Sequence, residues 1–168
     1  IIFYFNFSNF KFKIFKNLNF LFFLLLNLLL FIFLSKDPTL SWDGLENWYY
    51  KAQSFFYNYS FFDLKVSKGV DYYPHFGTFI WGFFWKNSLL EHEYSGRLIY
   101  IFIFLLSIFS ICDLIKNKNL KIITITGLVL ICFDKFLFKG YQEILMFSFM
   151  IFALKNFFYY LQNQKKIF

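Results

Sequence analysis

Long apolar runs alternate with shorter polar stretches along the chain. A helix needs about 20 predominantly apolar residues to cross the hydrocarbon core of a bilayer. Four runs approach this length, at residues 18–34, 98–115, 122–138 and 144–161. Asp134 and Lys135 interrupt the third run, which makes it a weaker candidate than the first two. The pattern predicts an all-α integral membrane protein with about four transmembrane helices.

The lysines predict how these helices are oriented. They cluster in residues 1–17, between the second and third runs, and in residues 162–168. With four crossings all three clusters lie on one side, and cytoplasmic loops carry an excess of Lys and Arg. Residues 35–96 then form a large exterior first loop. We therefore expect a multi-pass protein of the cell (inner) membrane, with a cytoplasmic N-terminal segment and tail and with the large loop on the exterior or periplasmic side.

Composition supports the membrane class. The chain is 59% hydrophobic and 16% charged, whereas soluble domains are about 45–50% apolar and about 25% charged. The net charge of +7 does not indicate a nucleic-acid partner, because the lysines separate apolar runs and no RNA-binding signature is present. Cys112 and Cys132 fall in apolar runs and are interpreted as small hydrophobic residues.

The large loop is predicted to be structured. All four Trp, both Pro and both His lie between positions 37 and 93. Residues 42–52 fit a short interfacial helix, whose apolar face would contain Leu45, Trp48, Tyr49 and Ala52. The apolar run at residues 76–85 is too short to span a bilayer. It is predicted to be an interfacial or re-entrant helix.

Asp43 is the first candidate for chemistry in this loop. It follows the first predicted span closely, so its carboxylate would be partly desolvated among Trp and Tyr side chains, an environment that suits proton abstraction. The alternative is structural, because Ser41 or Asp43 before Glu46 also fits a helix-capping pattern. The residues alone leave both interpretations open.

Glu93, Arg97, Glu143 and His75 are the other polar candidates. Glu93 and Arg97 are four residues apart and could pair on a helix, or Arg97 could bind a phosphate with its planar guanidinium. Glu143 begins the fourth predicted span. There it is either a favourable charge at a helix N-terminus or a group facing Asp43 across a shared outer pocket. His75 alone is weak evidence for a base or a metal ligand.

The order of these motifs resembles the N-terminal part of GT-C-type membrane glycosyltransferases, such as protein O-mannosyltransferases and lipid A aminoarabinose transferases. In that family an early Asp, a Tyr-Pro-Pro-Leu-like element, a Glu-to-Arg-Leu element and a later acid follow the first helix. The corresponding segments here are residues 42–44, 73–77, 93–98 and 140–143. His75 stands where a second Pro is usual, and Glu143 stands where Asp is commoner.

This resemblance implies transfer of a sugar from a lipid-linked donor, a polyprenyl phosphate, to the hydroxyl of a glycan, lipid or protein acceptor. Asp43 would be the catalytic base, with Arg97 first and Lys51 second as partners of the phosphate. Further substrate contacts are expected from Glu93, Glu143 and His75. The two glutamates could orient the acceptor or bind a divalent cation. The resemblance also implies a longer protein. The alternative is a non-enzymatic membrane protein, such as a transporter fragment or a membrane anchor.

Overall fold

The computed structural model describes residues 18–60, 75–89, 91–133 and 138–164. Within these residues the chain is helical and contains no strand, which confirms the all-α prediction. The elements are α1 (Leu18–Lys36), a π-helical segment (Gly44–Tyr49) that runs directly into α2 (Tyr50–Phe56), α3 (Phe76–Lys86), α4 (Glu93–Cys112), α5 (Lys118–Cys132) and α6 (Glu143–Gln164).

Three of the described helices are long and apolar enough to cross a membrane. They are α1, α4 and, within α6, Glu143–Leu161. They correspond to the predicted runs at residues 18–34, 98–115 and 144–161. A chain with three such helices is consistent with a multi-pass membrane protein.

α5 is shorter than the third predicted span. It begins four residues earlier than predicted, because the Asn117 side chain accepts the backbone N–H groups of Asn119 and Leu120 and so caps the helix start. Its 15 residues are about 22 Å long at the standard rise per residue. Residues 134–137, near the predicted end, lie outside the described part of the chain.

The two ends of α5 lie near opposite ends of α4. Lys121 in the first turn of α5 pairs with Asp113, directly after the last residue of α4. Arg97 in the second turn of α4 instead donates to the carbonyl of Phe138, beyond the end of α5. These contacts agree with a fourth crossing, which stays a prediction.

α4 is the central helix. It packs against α1, α3, α5 and α6, and 50% of its most apolar stretch is buried, against 22% in α1 and 17% in α6. The buried residues of α1 follow one stripe, at Phe23, Asn27, Leu30 and Leu34. The rest of α1 exposes leucine, isoleucine and phenylalanine, which hydrocarbon accommodates but water does not.

The predicted helix at residues 42–52 is present, and Trp48 and Ala52 of its predicted apolar face are buried, whereas Leu45 is not. Leu45 is 46% exposed, whereas Lys51 is buried beside Trp48 and Ala52. The expectation for Leu45 was wrong because it assumed the α-helical period. Leu45 lies within the π-helical segment, whose wider i→i+5 turn changes which side chains share a face.

α3 and α4 approach each other closely at Gly96. A Cβ atom at this position would lie 2.3 Å from the backbone oxygen of Trp81. The Trp81 side chain is fully buried, and its ring stands edge-on to that of Tyr100 with a centroid separation of 6.1 Å. Small residues at helix interfaces permit this kind of backbone approach in membranes.

Gly96→Ala is expected to destabilise the fold by about 1–3 kcal/mol, the usual cost of overpacking. The matched control is Gly127→Ala in α5, where an added Cβ meets no atom within 4 Å. The control should be neutral or mildly stabilising, because alanine favours helix more than glycine does. Unfolding of both variants in mixed detergent micelles, followed by circular dichroism, checks this. Equal stability of Gly96→Ala and wild type would contradict the close contact.

Candidate functional site

Segments distant in sequence meet where α1 ends, α4 begins and α6 begins. We call this region the junction; it comprises residues 37–44, 93–97 and 138–143. Both the backbone N–H and the hydroxyl of Ser41 donate to the carbonyl of Lys139, at 3.0 and 3.1 Å. Gly44 lies against the same carbonyl, because a Cβ there would stand 2.3 Å from the Lys139 oxygen. The helix start that carries Asp43 is thus held against the turn before α6.

Arg97 lies at the centre of the junction and is only 1% exposed. Its Nε and Nη2 donate to the two carboxylate oxygens of Glu93, at 2.8 and 2.7 Å. Nη1 donates to the carbonyl of Phe138 and Nη2 also donates to that of Pro38, each at 2.6 Å. A buried guanidinium needs this kind of compensation, since an unpaired buried charge is costly.

The Glu93–Arg97 pair expected from the i, i+4 spacing is therefore present, in a bidentate and buried form. The two backbone carbonyls that accept from Arg97 could not be predicted from the sequence, because only the spacing of side-chain types was used. Arg97 would have to exchange some of these bonds to bind a phosphate. Its role as a phosphate ligand stays a prediction.

Asp43 is half-buried and does not cap the helix. Of the two capping candidates, Ser41 has this role, because its hydroxyl oxygen accepts the backbone N–H of Gly44 at 2.9 Å. Asp43 makes no capping bond, and one of its oxygens accepts the side-chain N–H of Asn47 at 3.3 Å. The Asp43 carboxylate therefore does not have the helix-capping role that the sequence also allowed.

A cavity of about 340 Å³ opens between the N-terminal ends of α3 and α6, within the lower range of about 300–1,000 Å³ that ligand pockets show. Gln142 and Glu143 are the polar residues of its lining, and the others are apolar. The full lining is Trp48, Phe76, Gly77, Gln142, Glu143, Leu145, Met146 and Phe149. The pocket expected between Asp43 and Glu143 therefore has Glu143 and Trp48 in its wall, whereas Asp43 is not among the lining residues.

A buried hydrogen-bond network joins the helices beside this cavity. The hydroxyl of Tyr100 donates to the carbonyl of Gly77 at 2.6 Å, and the side-chain N–H of Gln142 donates to the same hydroxyl at 2.7 Å. α3, α4 and the start of α6 are thereby fixed relative to one another. Sequence reasoning missed Tyr100 and Gln142, although a glutamine directly before an apolar run was a possible signal.

Lys51 and His75 lie next to residues that line the cavity. Lys51 is 5% exposed, and its Nζ stands 5.8 Å from the centroid of the Trp48 ring. His75 is half-buried, directly precedes Phe76, and its carbonyl accepts the Thr78 hydroxyl at 2.8 Å. The candidates divide accordingly: Glu143 lines the cavity, Lys51 and His75 lie beside residues that line it, and Glu93 and Arg97 are not among its lining residues.

The divalent cation suggested by the sequence finds no ligand set in the described part of the chain. Among these residues no group of three His, Cys, Asp or Glu side chains could hold a metal ion. Glu93 is paired with Arg97 instead.

Comparison of the chain with protein-family models, with curated proteins and with solved structures finds no match. The resemblance to GT-C-type glycosyltransferases therefore rests on the motifs of this sequence and on their order.

Glu93→Gln is expected to lower the free energy of unfolding by about 3–5 kcal/mol, because it leaves the buried guanidinium without a counter-charge. Arg97→Lys should also destabilise, since one ammonium group cannot replace the bidentate bond and reach both carbonyls. Lys118→Met, an exposed change at the start of α5, is the control and should stay within about 0.5 kcal/mol of wild type. Equilibrium unfolding in micelles measures all three. Wild-type stability of Glu93→Gln would refute the structural role of the pair.

Asp37 pairs with Lys139 at the junction, and this pair makes the stability of the fold depend on pH. Hydrogen bonds from the Thr39 hydroxyl and from Lys139, together with the Thr39 backbone N–H, lower the pKa of Asp37 to about 2. A carboxyl whose pKa is depressed on folding stabilises the fold above its unfolded pKa, and this contribution disappears as the pH falls through the folded value.

The stability difference between wild type and Asp37→Asn should therefore be constant above about pH 4 and disappear towards about pH 2. The difference is expected to be small, because the carboxylate is fully exposed. Unfolding curves of the two proteins measured over this pH range check the prediction. A difference that grows as the pH falls would contradict the assigned sign.

Proposed function

We propose that this chain is part of a membrane glycosyltransferase, in the cell (inner) membrane, that moves a sugar from a polyprenyl-phosphate carrier to an acceptor hydroxyl at the exterior face. The observation that supports this proposal most directly is the cavity beside the junction. Its wall includes Trp48, from the helix that carries Asp43, and Glu143, the acid at the start of α6. Two motifs of the resemblance, residues 73–77 and 140–143, thus contribute to one recess through Phe76 and Gly77 and through Gln142 and Glu143.

The lining of the cavity suits the lipid part of such a donor. Leu145, Met146 and Phe149 come from the first two turns of α6, a helix apolar enough to span a bilayer. Met146 and Phe149 also have exposed side chains, so a chain lying in the hydrocarbon can reach the cavity from the side. A prenyl chain would bury apolar surface there while its phosphate stays at headgroup depth.

Asp43 is the proposed base. In the reaction its carboxylate accepts the proton of the acceptor hydroxyl as the hydroxyl oxygen forms a bond to the anomeric carbon of the sugar. The bond between that carbon and the phosphate oxygen breaks, and polyprenyl phosphate leaves with the electron pair. Asp43 is half-buried and lies five residues before Trp48 on the same helix, and Asn47 holds one of its oxygens. A base acts only within hydrogen-bond reach of the proton it takes, so the acceptor must bind between Asp43 and the cavity.

Positive charge must face the departing phosphate. Arg97 was the first candidate from the resemblance, but four hydrogen bonds already engage its guanidinium. Lys51 now becomes the stronger candidate, because its ammonium lies over Trp48, whose side chain lines the cavity. Glu143 and His75 are then the groups available to orient the acceptor.

Asp43→Asn is expected to abolish sugar transfer, because the amide cannot accept the proton, with a loss of about 10²–10⁴-fold for a missing general base. The matched control is Glu46→Gln, a carboxyl-to-amide change one turn further along the same helix at an exposed position. The full-length protein in membrane vesicles is supplied with polyprenyl-phosphate-linked radiolabelled sugar, and transfer or release of the label is measured. Immunoblotting of washed membranes verifies equal insertion of each variant.

Lys51→Met, measured in the same assay, tests whether Lys51 binds the phosphate of the donor. It should raise KM for the donor several-fold, whereas a purely structural lysine would lower the amount of folded protein without changing KM. Equal activity of Asp43→Asn and wild type would exclude Asp43 as the base. If the inserted wild-type protein transfers sugar from no carrier, the non-enzymatic interpretation, a transporter fragment or membrane anchor, replaces the proposal.

A further inference from the structure

α3 has an exposed face of phenylalanine side chains. The four exposed rings follow the i, i+3, i+7, i+8 spacing of one helical face, with exposures of 40–60%, and are Phe76, Phe79, Phe83 and Phe84. The opposite face is buried and consists of Gly77, Thr78, Trp81, Gly82 and Trp85. A helix on a water-facing surface carries charged and polar residues on its outward side. No residue from Phe76 to Trp85 carries a charge.

α3 lies antiparallel to the first two turns of α4. The indole N–H of Trp85, near the end of α3, donates to the carbonyl of Glu91 just before α4, at 2.7 Å. At the other end of α3, the carbonyl of Gly77 accepts the hydroxyl of Tyr100 at 2.6 Å. Tyr100 is seven residues into α4, or about 10 Å along its axis. The N-terminal end of α3 therefore lies beside a part of α4 that is well inside the candidate span.

The phenylalanine face continues onto the surface of two candidate spans. Phe84 shares a shallow depression of about 290 Å³ with Phe31 of α1 and Phe102 of α4. Phe31 lies five residues before the end of α1, and Phe102 lies nine residues after the start of α4. Phe31 and Phe102 therefore lie in the stretches that hydrocarbon surrounds when these helices span a bilayer, and Phe84 adjoins them.

From these observations we infer that α3 is a half-membrane helix whose phenylalanine face contacts lipid acyl chains, in the leaflet that surrounds the start of α4. Its 11 residues extend about 16 Å, roughly half of the 30 Å hydrocarbon core. Lys86 at its C-terminal end forms a hydrogen bond with Asn58, so polar groups mark the end nearer the headgroups. The inference depends on the membrane character of the bundle and not on the proposed enzymatic function.

Lipid, rather than water or another protein, is the occupant that the contacts favour. An apolar patch of this extent on a water-facing surface would promote association, whereas hydrocarbon tolerates it without a partner. Phe79 also packs edge-on against Phe55 of α2 at 5.5 Å, so α2 contacts α3 in addition to α4. A lipid-exposed helix needs one face that packs against the protein and another that is apolar throughout, and α3 has both.

The experiment uses single cysteines labelled with the fluorophore NBD, in the full chain reconstituted into phosphatidylcholine vesicles. Cys112 and Cys132 are first replaced by Ala. Phe79→Cys and Phe83→Cys report on the face, and Asn87→Cys, just beyond the end of α3, is the matched control. Quenching is measured with aqueous iodide and with lipids that carry a doxyl group at the fifth or twelfth acyl carbon.

We expect iodide to quench the labels at positions 79 and 83 several-fold less than the label at position 87, and doxyl lipids to quench them several-fold more. The label at position 79 should respond more strongly than that at position 83 to the deeper, twelfth-carbon doxyl group. Iodide quenching at positions 79 and 83 that equals the control would overturn the inference in favour of a water-facing helix. Protection from both quenchers would also overturn it, since a protein surface would then cover the face.

Discussion

The guanidinium of Arg97 sits almost completely buried among the ends of three helices, where an uncompensated charge would be prohibitive. It is tolerated because Glu93 neutralises it and two carbonyls, of Pro38 and Phe138, accept its remaining bonds. Those carbonyls are 59 residues before Arg97 and 41 residues after it. One side chain thus fixes where α1 leaves the bundle and where the chain re-enters it before α6. The contacts of Ser41 and Gly44 with Lys139 depend on that arrangement, and so does the position of Asp43.

The same requirement for compensation governs the packing around α3. Two buried polar groups next to it have specific partners: the Gly77 carbonyl accepts from Tyr100, and Tyr100 accepts from Gln142. The close approach at Gly96 brings the backbone of α3 directly against α4, which leaves Trp81 fully buried. The phenylalanine side chains can then stay exposed, because the buried hydrogen bonds and the close backbone approach lie on the inner face. A rigid cavity wall results, with the α3 end of the cavity fixed to the start of α6.

Sequence reasoning recovered features that side-chain types encode. Apolar length predicted α1, α4 and α6, and the i, i+4 spacing predicted the pair of Glu93 and Arg97. It could not find the acceptors at Pro38 and Phe138, because every residue has a backbone carbonyl and none is marked in the sequence. It also misjudged Leu45, since a π turn alters the period without a composition signal. The fold class was therefore predictable, whereas the contacts that assemble the junction were not, because they join backbone groups across large sequence separations.

The structural role of Arg97 also limits the candidate chemistry. A guanidinium that holds two distant carbonyls cannot move to follow a departing phosphate without loosening the segment that carries Asp43. In the proposed reaction the two tasks would compete, and a separate cation near the cavity would resolve the competition. Lys51 meets that condition, because it is buried on the helix of Asp43 and lies over a ring of the cavity wall. Its single ammonium on a flexible stem can adjust to a moving charge in a way that the fixed fork of Arg97 cannot. Loss of Arg97 should then reduce the amount of folded protein, whereas loss of Lys51 should weaken donor binding in protein that still folds.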